Sequence, residues 1–98
     1  MKQLSANEVK DLLVNGQSLN LIDVREVDEV AMGKIPGAQH IPLGLLEFRM
    51  HELDKSKEYI MVCRSGGRSG RACQHLESYG FNVINMSGGM LEWEGETE

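Results

Sequence analysis

A cysteine followed by a loop of serine, glycine and arginine is the part of this sequence that could do chemistry. The segment Cys63-Arg64-Ser65-Gly66-Gly67-Arg68-Ser69 comes directly after the apolar run 59–62, and a helical pattern begins at its end. This order predicts a thiol at the tip of a buried strand, facing a turn of backbone N–H groups and the positive end of a helix dipole. Loops of this kind bind anions or hold a charged sulfur.

The residues of this loop favour the charged form of a thiol. A free cysteine has a pKa of roughly 8.5, which helix N-termini and nearby cations lower to about 3.5–7.5. Arg64, Arg68 and Arg71 supply positive charge, while Gly66 and Gly67 let the backbone curl so that several N–H groups converge. The same cradle would stabilise a persulfide. Two plainer interpretations stay open: an unreactive buried thiol, and an exposed loop with solvated arginines.

The rest of the chain reads as helices and strands in alternation. Ser5 and Glu8 have the spacing of a capping box, so the first helix is expected to begin directly after the N-terminal residues and to end near Gly16. Apolar runs predict strands, and apolar residues spaced by three and four predict helices. The predicted strands are 19–24, 40–41, 59–63 and 81–86, and the further helices are 26–32, 43–53, 69–79 and 90–94. Residues 95–98 are expected to fray.

This alternation predicts an α/β domain with a mostly parallel sheet. Ligands of such sheets bind beyond the carboxyl ends of the strands, where Cys63 is expected to lie. Asp23 and Arg25 are expected at the carboxyl end of another strand, 19–24, and invite a catalytic interpretation. The simpler one is structural: the aspartate ties the adjacent loop, and the arginine pairs with Glu26 or Glu29.

Length and composition restrict the other possibilities. A chain of 98 residues suggests a single domain over 1–98, and 41% hydrophobic with 26% charged residues is ordinary for a soluble globular protein. The net charge of −5 argues against a general nucleic-acid partner. No apolar run is long enough to cross a bilayer and no signal-peptide pattern opens the sequence, so we expect no membrane partner and a cytoplasmic location.

The remaining cysteine and histidines point to packing. Two cysteines cannot build a disulfide framework, and scattered histidines give a metal site little support. Cys73 could resolve an oxidised Cys63, but its place on the apolar face of a helix favours a core role. His40, His51 and His75 are isolated.

The length of the loop separates two kinds of cysteine chemistry. Cysteine-dependent phosphatases have Cys-x5-Arg, in which the arginine clamps two phosphoryl oxygens. Here the sixth position after Cys63 is Ser69, and Arg68 falls one residue short. A shorter ring suits a sulfur atom better than a tetrahedral phosphate. Sulfur transfer is therefore favoured, with a small phosphatase or arsenate reductase as the alternative.

Four segments in this order resemble the motifs of a single-domain rhodanese, and together they cover nearly the whole chain. They are Leu21-Ile22-Asp23-Val24-Arg25-Glu26, Gly33-Lys34-Ile35-Pro36-Gly37-Ala38-Gln39-His40-Ile41-Pro42, Cys63-Arg64-Ser65-Gly66-Gly67-Arg68-Ser69 and Gly88-Gly89-Met90-Leu91-Glu92-Trp93. One departure is Lys34, where the family often has histidine; this position is outside the cysteine loop.

The resemblance implies a rhodanese-like α/β fold, with a small, mostly parallel sheet and helices on both of its faces. It implies that Cys63 attacks the outer sulfur of a donor such as thiosulfate, becomes a persulfide and passes the sulfur to a thiol or to cyanide. Residues Arg64 to Ser69 would bind the persulfide through their backbone N–H groups. Arg64 or Arg68 could attract an anionic donor, and Arg68 is favoured because it lies near the helix start. No metal or organic cofactor is implied.

The expected partners are a small sulfur donor and a thiol acceptor. A second hypothesis uses the same loop differently: a persulfide carrier or interaction module would receive sulfur from a partner protein and hand it on, with weak thiosulfate turnover. Because both functions need the same residues, the sequence leaves the donor, the acceptor and the oligomeric state open.

Overall fold

Strands and helices alternate from the first residues of the chain onward. The computed structural model describes residues 1–98. The strands are β1 Lys2–Ser5, β2 Asn20–Asp23, β3 Gln39–His40, β4 Glu58–Val62 and β5 Asn82–Ser87. The α-helices are α1 Ala6–Val14, α2 Val27–Ala31, α3 Leu46–Arg49 and α4 Gly67–Ser78, and the 3-10 turns are Leu43–Leu45, Met50–Glu52 and Gly89–Glu92. None of the helices has the length and apolar character needed to cross a bilayer.

The five strands form one sheet in the order β1-β5-β4-β2-β3, and every neighbouring pair is parallel. The central strand β4 pairs with β2 on one side, where Ile22 lies opposite Met61, and with β5 on the other, where Ile60 lies opposite Ile84. All carboxyl ends therefore meet at the same edge. The predicted α/β fold is confirmed.

The alternation of side chains along β4 divides the core into two layers. Tyr59, Met61 and Cys63 join a buried cluster with residues of α4, whereas Ile60 and Val62 join a second cluster with residues of α1. Successive side chains of a strand point to opposite faces. The sheet thus has helices on both faces, as the resemblance implies, and Cys63 faces the α4 side.

The segment 43–53 is not the single helix that its apolar residues predict. It is divided into a 3-10 turn, the short α3 and a second 3-10 turn. The backbone departs from α-helical angles at the two junctions, Leu45 (φ −107°, ψ −2°) and Arg49 (φ −105°, ψ 0°). Phe48 is 80% exposed, so the apolar spacing there does not mark a face that packs on the core.

Both ends of the chain depart from the predictions. Residues 2–5 form the edge strand β1 on β5, a long-range pairing that short-range patterns do not reveal. The last residues do not fray as expected. Glu98 exchanges backbone hydrogen bonds with Lys34, N to O at 2.8 Å and O to N at 3.2 Å, and their side chains form an ion pair.

A buried ion pair joins the end of β2 to the segment that follows it. The carboxylate of Asp23 accepts hydrogen bonds from Arg25 Nε at 3.0 Å, Nη2 at 2.8 Å and the backbone N at 3.0 Å. Arg25 also donates to the carbonyls of Glu29 at 3.3 Å and Gly33 at 2.8 Å. Arg25 therefore pairs with Asp23 rather than with the Glu26 or Glu29 carboxylate. Through these contacts the buried pair positions α2 and the residues that follow it.

We expect Asp23→Asn to destabilise the fold by about 3–5 kcal/mol, because it leaves a buried guanidinium without its counter-charge. Asp23 is 0% and Arg25 only 6% exposed. Urea unfolding measures the loss. The matched control is Glu58→Gln, which removes the exposed Lys2–Glu58 pair and should cost less than about 1 kcal/mol. Equal losses in the two variants would contradict the structural role of the buried pair.

Candidate functional site

Cys63 is the first residue after β4, and its sulfur lies inside a turn of hydrogen-bond donors. The residue is fully buried. Its Sγ accepts a hydrogen bond from the backbone N of Gly66 at 3.0 Å and lies 3.3 Å from the Ser69 hydroxyl. The predicted thiol at the tip of a buried strand is present, within the loop 63–69 that we call the cysteine loop.

The turn depends on a glycine. Gly66 has φ +103°, a left-handed conformation that strains other residues, and it directly precedes α4. A Cβ atom there would lie 3.3 Å from the backbone N of Gly88. Because α4 begins at Gly67 rather than at the predicted 69, Ser69 stands in its first turn with its hydroxyl toward the sulfur. The helix dipole thus adds to the donors around Cys63.

The protonation of Cys63 is decided by opposing effects. Burial alone would raise the pKa of the thiol. Hydrogen bonds from the Ser69 hydroxyl and from the backbone N–H groups of Ser69, Gly66 and Ser65 act the other way, and they bring the pKa of Cys63 below its ordinary value. The hydrogen-bond donors around the sulfur therefore outweigh the effect of burial.

A second loop closes over the carbonyl side of the cysteine loop. In the 3-10 turn Gly89–Glu92, Met90 N donates to Cys63 O at 2.9 Å and Leu91 N donates to Arg64 O at 2.9 Å. A Cβ on Gly89 would lie 2.4 Å from Arg64 O and 2.5 Å from Cys63 O. The close approach explains physically why a glycine stands at this position.

Asn85 is a residue of the site that the sequence reasoning missed. It is 5% exposed on β5, its Nδ2 donates to Gly66 O at 3.2 Å, and its Oδ1 accepts from the Ser69 hydroxyl. One hydroxyl proton cannot serve both Asn85 and the sulfur, so Ser69 donates to one of them at a time. The signal in the sequence is a single amide within the apolar run 83–86.

Arg68 does not project freely toward an incoming anion as its position in the sequence suggested. Its Nη1 and Nη2 donate to the two carboxylate oxygens of Glu29 at 2.6 and 2.7 Å. Hydrogen bonds from Arg68 lower the pKa of Glu29 to about 2, although burial opposes the shift, and the same hydrogen bonds raise the pKa of Arg68. Arg64 and Arg71 are exposed.

The cysteine loop thus brings only some of its predicted residues to the sulfur. The backbone N–H groups of Ser65 and Gly66, and both the hydroxyl and the backbone N–H of Ser69, donate hydrogen bonds that lower the pKa of Cys63. Gly67 opens the helix. The side chain of Arg68 forms its ion pair with Glu29 of α2 instead.

The other candidates lie outside this arrangement. Cys73 is buried in the core, where desolvation, with a smaller effect of Glu77, raises the pKa of its thiol to about 12. His40 Nε2 lies 2.6 Å from the carbonyl of Arg25. No three His, Cys, Asp or Glu side chains are grouped to hold a metal ion. A groove of about 690 Å³ beside Trp93 and Pro36 contains no residue of the cysteine loop.

Comparison with known proteins identifies the family. The model of the rhodanese-like domain matches residues 5–96. The chain belongs to the rhodanese-like family. A rhodanese-like domain protein from Staphylococcus aureus has the same fold with a TM-score of 0.94 and 34% identity, over 100% of this chain and 97% of that one.

Two relatives from Bacillus subtilis strain 168 carry provisional functional names. The sulfurtransferase YtwF, so named provisionally, is 47% identical over 100% of this chain and 95% of its own length. The provisionally named sulfur carrier protein YrkF is 41% identical, and the match covers 98% of this chain but 52% of that protein. Membership of the rhodanese-like family supports sulfur transfer in general, without specifying donor or acceptor.

We expect Ser69→Ala in this rhodanese-like chain to raise the pKa of Cys63, because the thiolate loses a hydroxyl donor and keeps its backbone donors. Titration of the thiolate ultraviolet absorbance in a Cys73→Ala background, where Cys63 is the only thiol, measures the shift. Ser78→Ala, at the other end of α4, is the matched control. An unchanged titration in Ser69→Ala would show that the hydroxyl serves Asn85 alone.

Proposed function

We propose that this protein is a sulfurtransferase that carries a sulfane sulfur as a persulfide on Cys63. The donor is a small molecule such as thiosulfate or a thiol persulfide, and the acceptor is a thiol or cyanide. The observation that carries the proposal is the Cys63 sulfur itself, which accepts a hydrogen bond from Gly66 N and lies within reach of the Ser69 hydroxyl in a buried turn. We assign the role of nucleophile to Cys63 and that of the persulfide-binding loop to residues 64–69.

The chemistry needs no external redox partner. The Cys63 thiolate attacks the outer sulfur of the donor, an S–S bond to Sγ forms, and the bond between that sulfur and the rest of the donor breaks. The leaving group departs with the electron pair, as sulfite from thiosulfate. An acceptor thiolate or cyanide then attacks the outer sulfur and returns Cys63 as a thiolate, which is a two-step covalent cycle.

The turn suits this cycle because its donors act on a negatively charged sulfur in both half-reactions. They lower the pKa of the free thiol, and they would stabilise the anionic persulfide in the same way. Full burial of Cys63 favours a slender terminal sulfur over a tetrahedral phosphoryl group. The arginine that a cysteine phosphatase needs at the sixth position is replaced by Ser69.

A persulfide carrier is the second candidate. It would take sulfur from a partner protein and pass it to another, and it is supported by the likeness to a relative that is provisionally named a sulfur carrier. Comparing loading from thiosulfate with loading from a protein persulfide distinguishes the two functions. Both fit a reducing compartment such as the cytoplasm, since Cys63 and Cys73 are free thiols.

Intact mass spectrometry tests the proposal. After incubation with thiosulfate or with cysteine persulfide, we expect the protein to gain the mass of one sulfur atom, and cyanide to remove it as thiocyanate. Cys63→Ser should lose the gain, whereas the matched Cys73→Ala should keep it, because the Cys73 thiol is buried with a pKa raised to about 12. No gain from either donor, or a gain that persists in Cys63→Ser, would refute the assignment.

A further inference from the structure

We propose that Glu29 sets the donor specificity of this site. Because the guanidinium of Arg68 forms an ion pair with Glu29, it does not bind anionic donors. The site therefore disfavours thiosulfate and takes sulfur from thiol persulfides. The inference rests on the proposed function, since it concerns which donor loads Cys63.

The ion pair is bidentate, and neighbouring residues fix the position of Glu29. The two carboxylate oxygens of Glu29 accept hydrogen bonds from the two terminal nitrogens of Arg68. These bonds occupy the edge of the guanidinium that would otherwise bind an oxyanion. Glu29 Oε1 also accepts from the backbone N of Glu26 at 3.0 Å. The Glu29 carbonyl accepts from Arg25, which the buried Asp23 fixes at the end of β2. Helix α2 thus presents the carboxylate to Arg68 in a defined position.

The pair is only partly accessible and carries no net charge. The side chains of Arg68 and Glu29 are 28% and 25% exposed. Arg68 lies in the first turn of α4 next to Ser69, whose hydroxyl is 3.3 Å from the Cys63 sulfur. The low pKa of Glu29 keeps its carboxylate ionised at neutral pH. Two more carboxylates, Glu26 and Asp28, lie on the exposed side of the same segment. On the side of α2, an anion that approaches Cys63 therefore meets a neutralised cation beside an acidic helix, whereas Arg64 and Arg71 are exposed.

Donors differ in how much they need that cation. Thiosulfate carries two negative charges and presents a sulfonate, which an arginine fork would bind. In a thiol persulfide no oxyanion is bonded to the inner sulfur, and the α-carboxylate of cysteine persulfide is balanced by its own ammonium group. Its outer sulfur forms the bond to Cys63 Sγ while the bond to the inner sulfur breaks, and the donor leaves as a thiolate with the electron pair. The backbone donors of the turn serve either reaction, so the paired arginine selects between them.

Glu29→Gln tests this inference with little change of shape. The amide oxygen can still accept from Glu26 N and Arg68 Nη1, but the carboxylate charge is gone and Arg68 keeps its positive charge. We expect the ratio of kcat/KM for thiosulfate to kcat/KM for cysteine persulfide to rise roughly five- to tenfold at low ionic strength. The gain should shrink as salt is added.

Two further variants decide whether the effect belongs to the pair. Glu52→Gln makes the same change of net charge at an ion pair with Arg49, on another surface, and should leave the ratio unchanged. Glu29→Gln combined with Arg68→Gln replaces the ion pair by a neutral one, and its ratio should stay within about twofold of the wild-type ratio. If Arg68 instead clamped thiosulfate in the wild type, the double variant would lose most of its preference for that donor.

The outcomes separate this inference from the proposed function. Loading of Cys63 by cysteine persulfide in the wild type, with no rise of the ratio in Glu29→Gln, would overturn the role of Glu29 and leave sulfur transfer intact. A collapsed ratio in the double variant would also overturn it, and it remains decisive if the single variant does not fold. Failure of both donors to load the wild type would instead refute the proposed function.

Discussion

The hydrogen bonds around the sulfur of Cys63 are the interaction on which the rest of this site depends. Burial of an isolated thiol makes its ionisation unfavourable, and at Cys63 hydrogen-bond donors that face the sulfur oppose that effect. The backbone N of Gly66 lies 3.0 Å from the sulfur, and this contact exists because Gly66 takes a left-handed conformation at the start of α4. The first turn of α4, the glycines of the 88–89 segment and the amide of Asn85 all hold that turn in place.

The parallel sheet explains why these parts converge. When every strand runs in the same direction, the segments that follow the strands emerge at one edge. The cysteine loop follows β4, α2 follows β2, and the turn Gly89–Glu92 follows β5. The buried Asp23–Arg25 pair makes the exit from β2 rigid, which links a charge pair in the core to the position of Glu29 on the surface. Stability and the electrostatics of the site therefore share the same residues.

The parts of the molecule that depend on local sequence could be predicted, whereas the parts that depend on distant contacts could not. The capping box at Ser5 and the strand, glycine turn and helix around Cys63 are each encoded within a few residues, and the structure contains them. Residues 2–5 became a strand only because β5, some eighty positions later, accepts them at its edge. Glu29 and Arg68 are 39 positions apart, so no spacing rule could reveal their pairing. Asn85 was detectable in principle, because a lone amide in a buried apolar strand needs hydrogen-bond partners.

The site attracts negative charge at short range and offers little attraction at long range. The N–H groups of the turn act on an atom in contact with them. At longer range Glu29 neutralises Arg68 and the chain carries a net charge of −5, so the exposed Arg64 and Arg71 are the cations of this segment that remain to attract an anion. A phosphatase loop needs the opposite arrangement, with an unpaired arginine that captures a dianion before chemistry begins. A persulfide formed at Cys63, as proposed above, would need no capture, since its outer sulfur would arise already inside the turn. The combination of strong backbone donors with a neutralised arginine is therefore better matched to holding a sulfur than to collecting an anionic substrate.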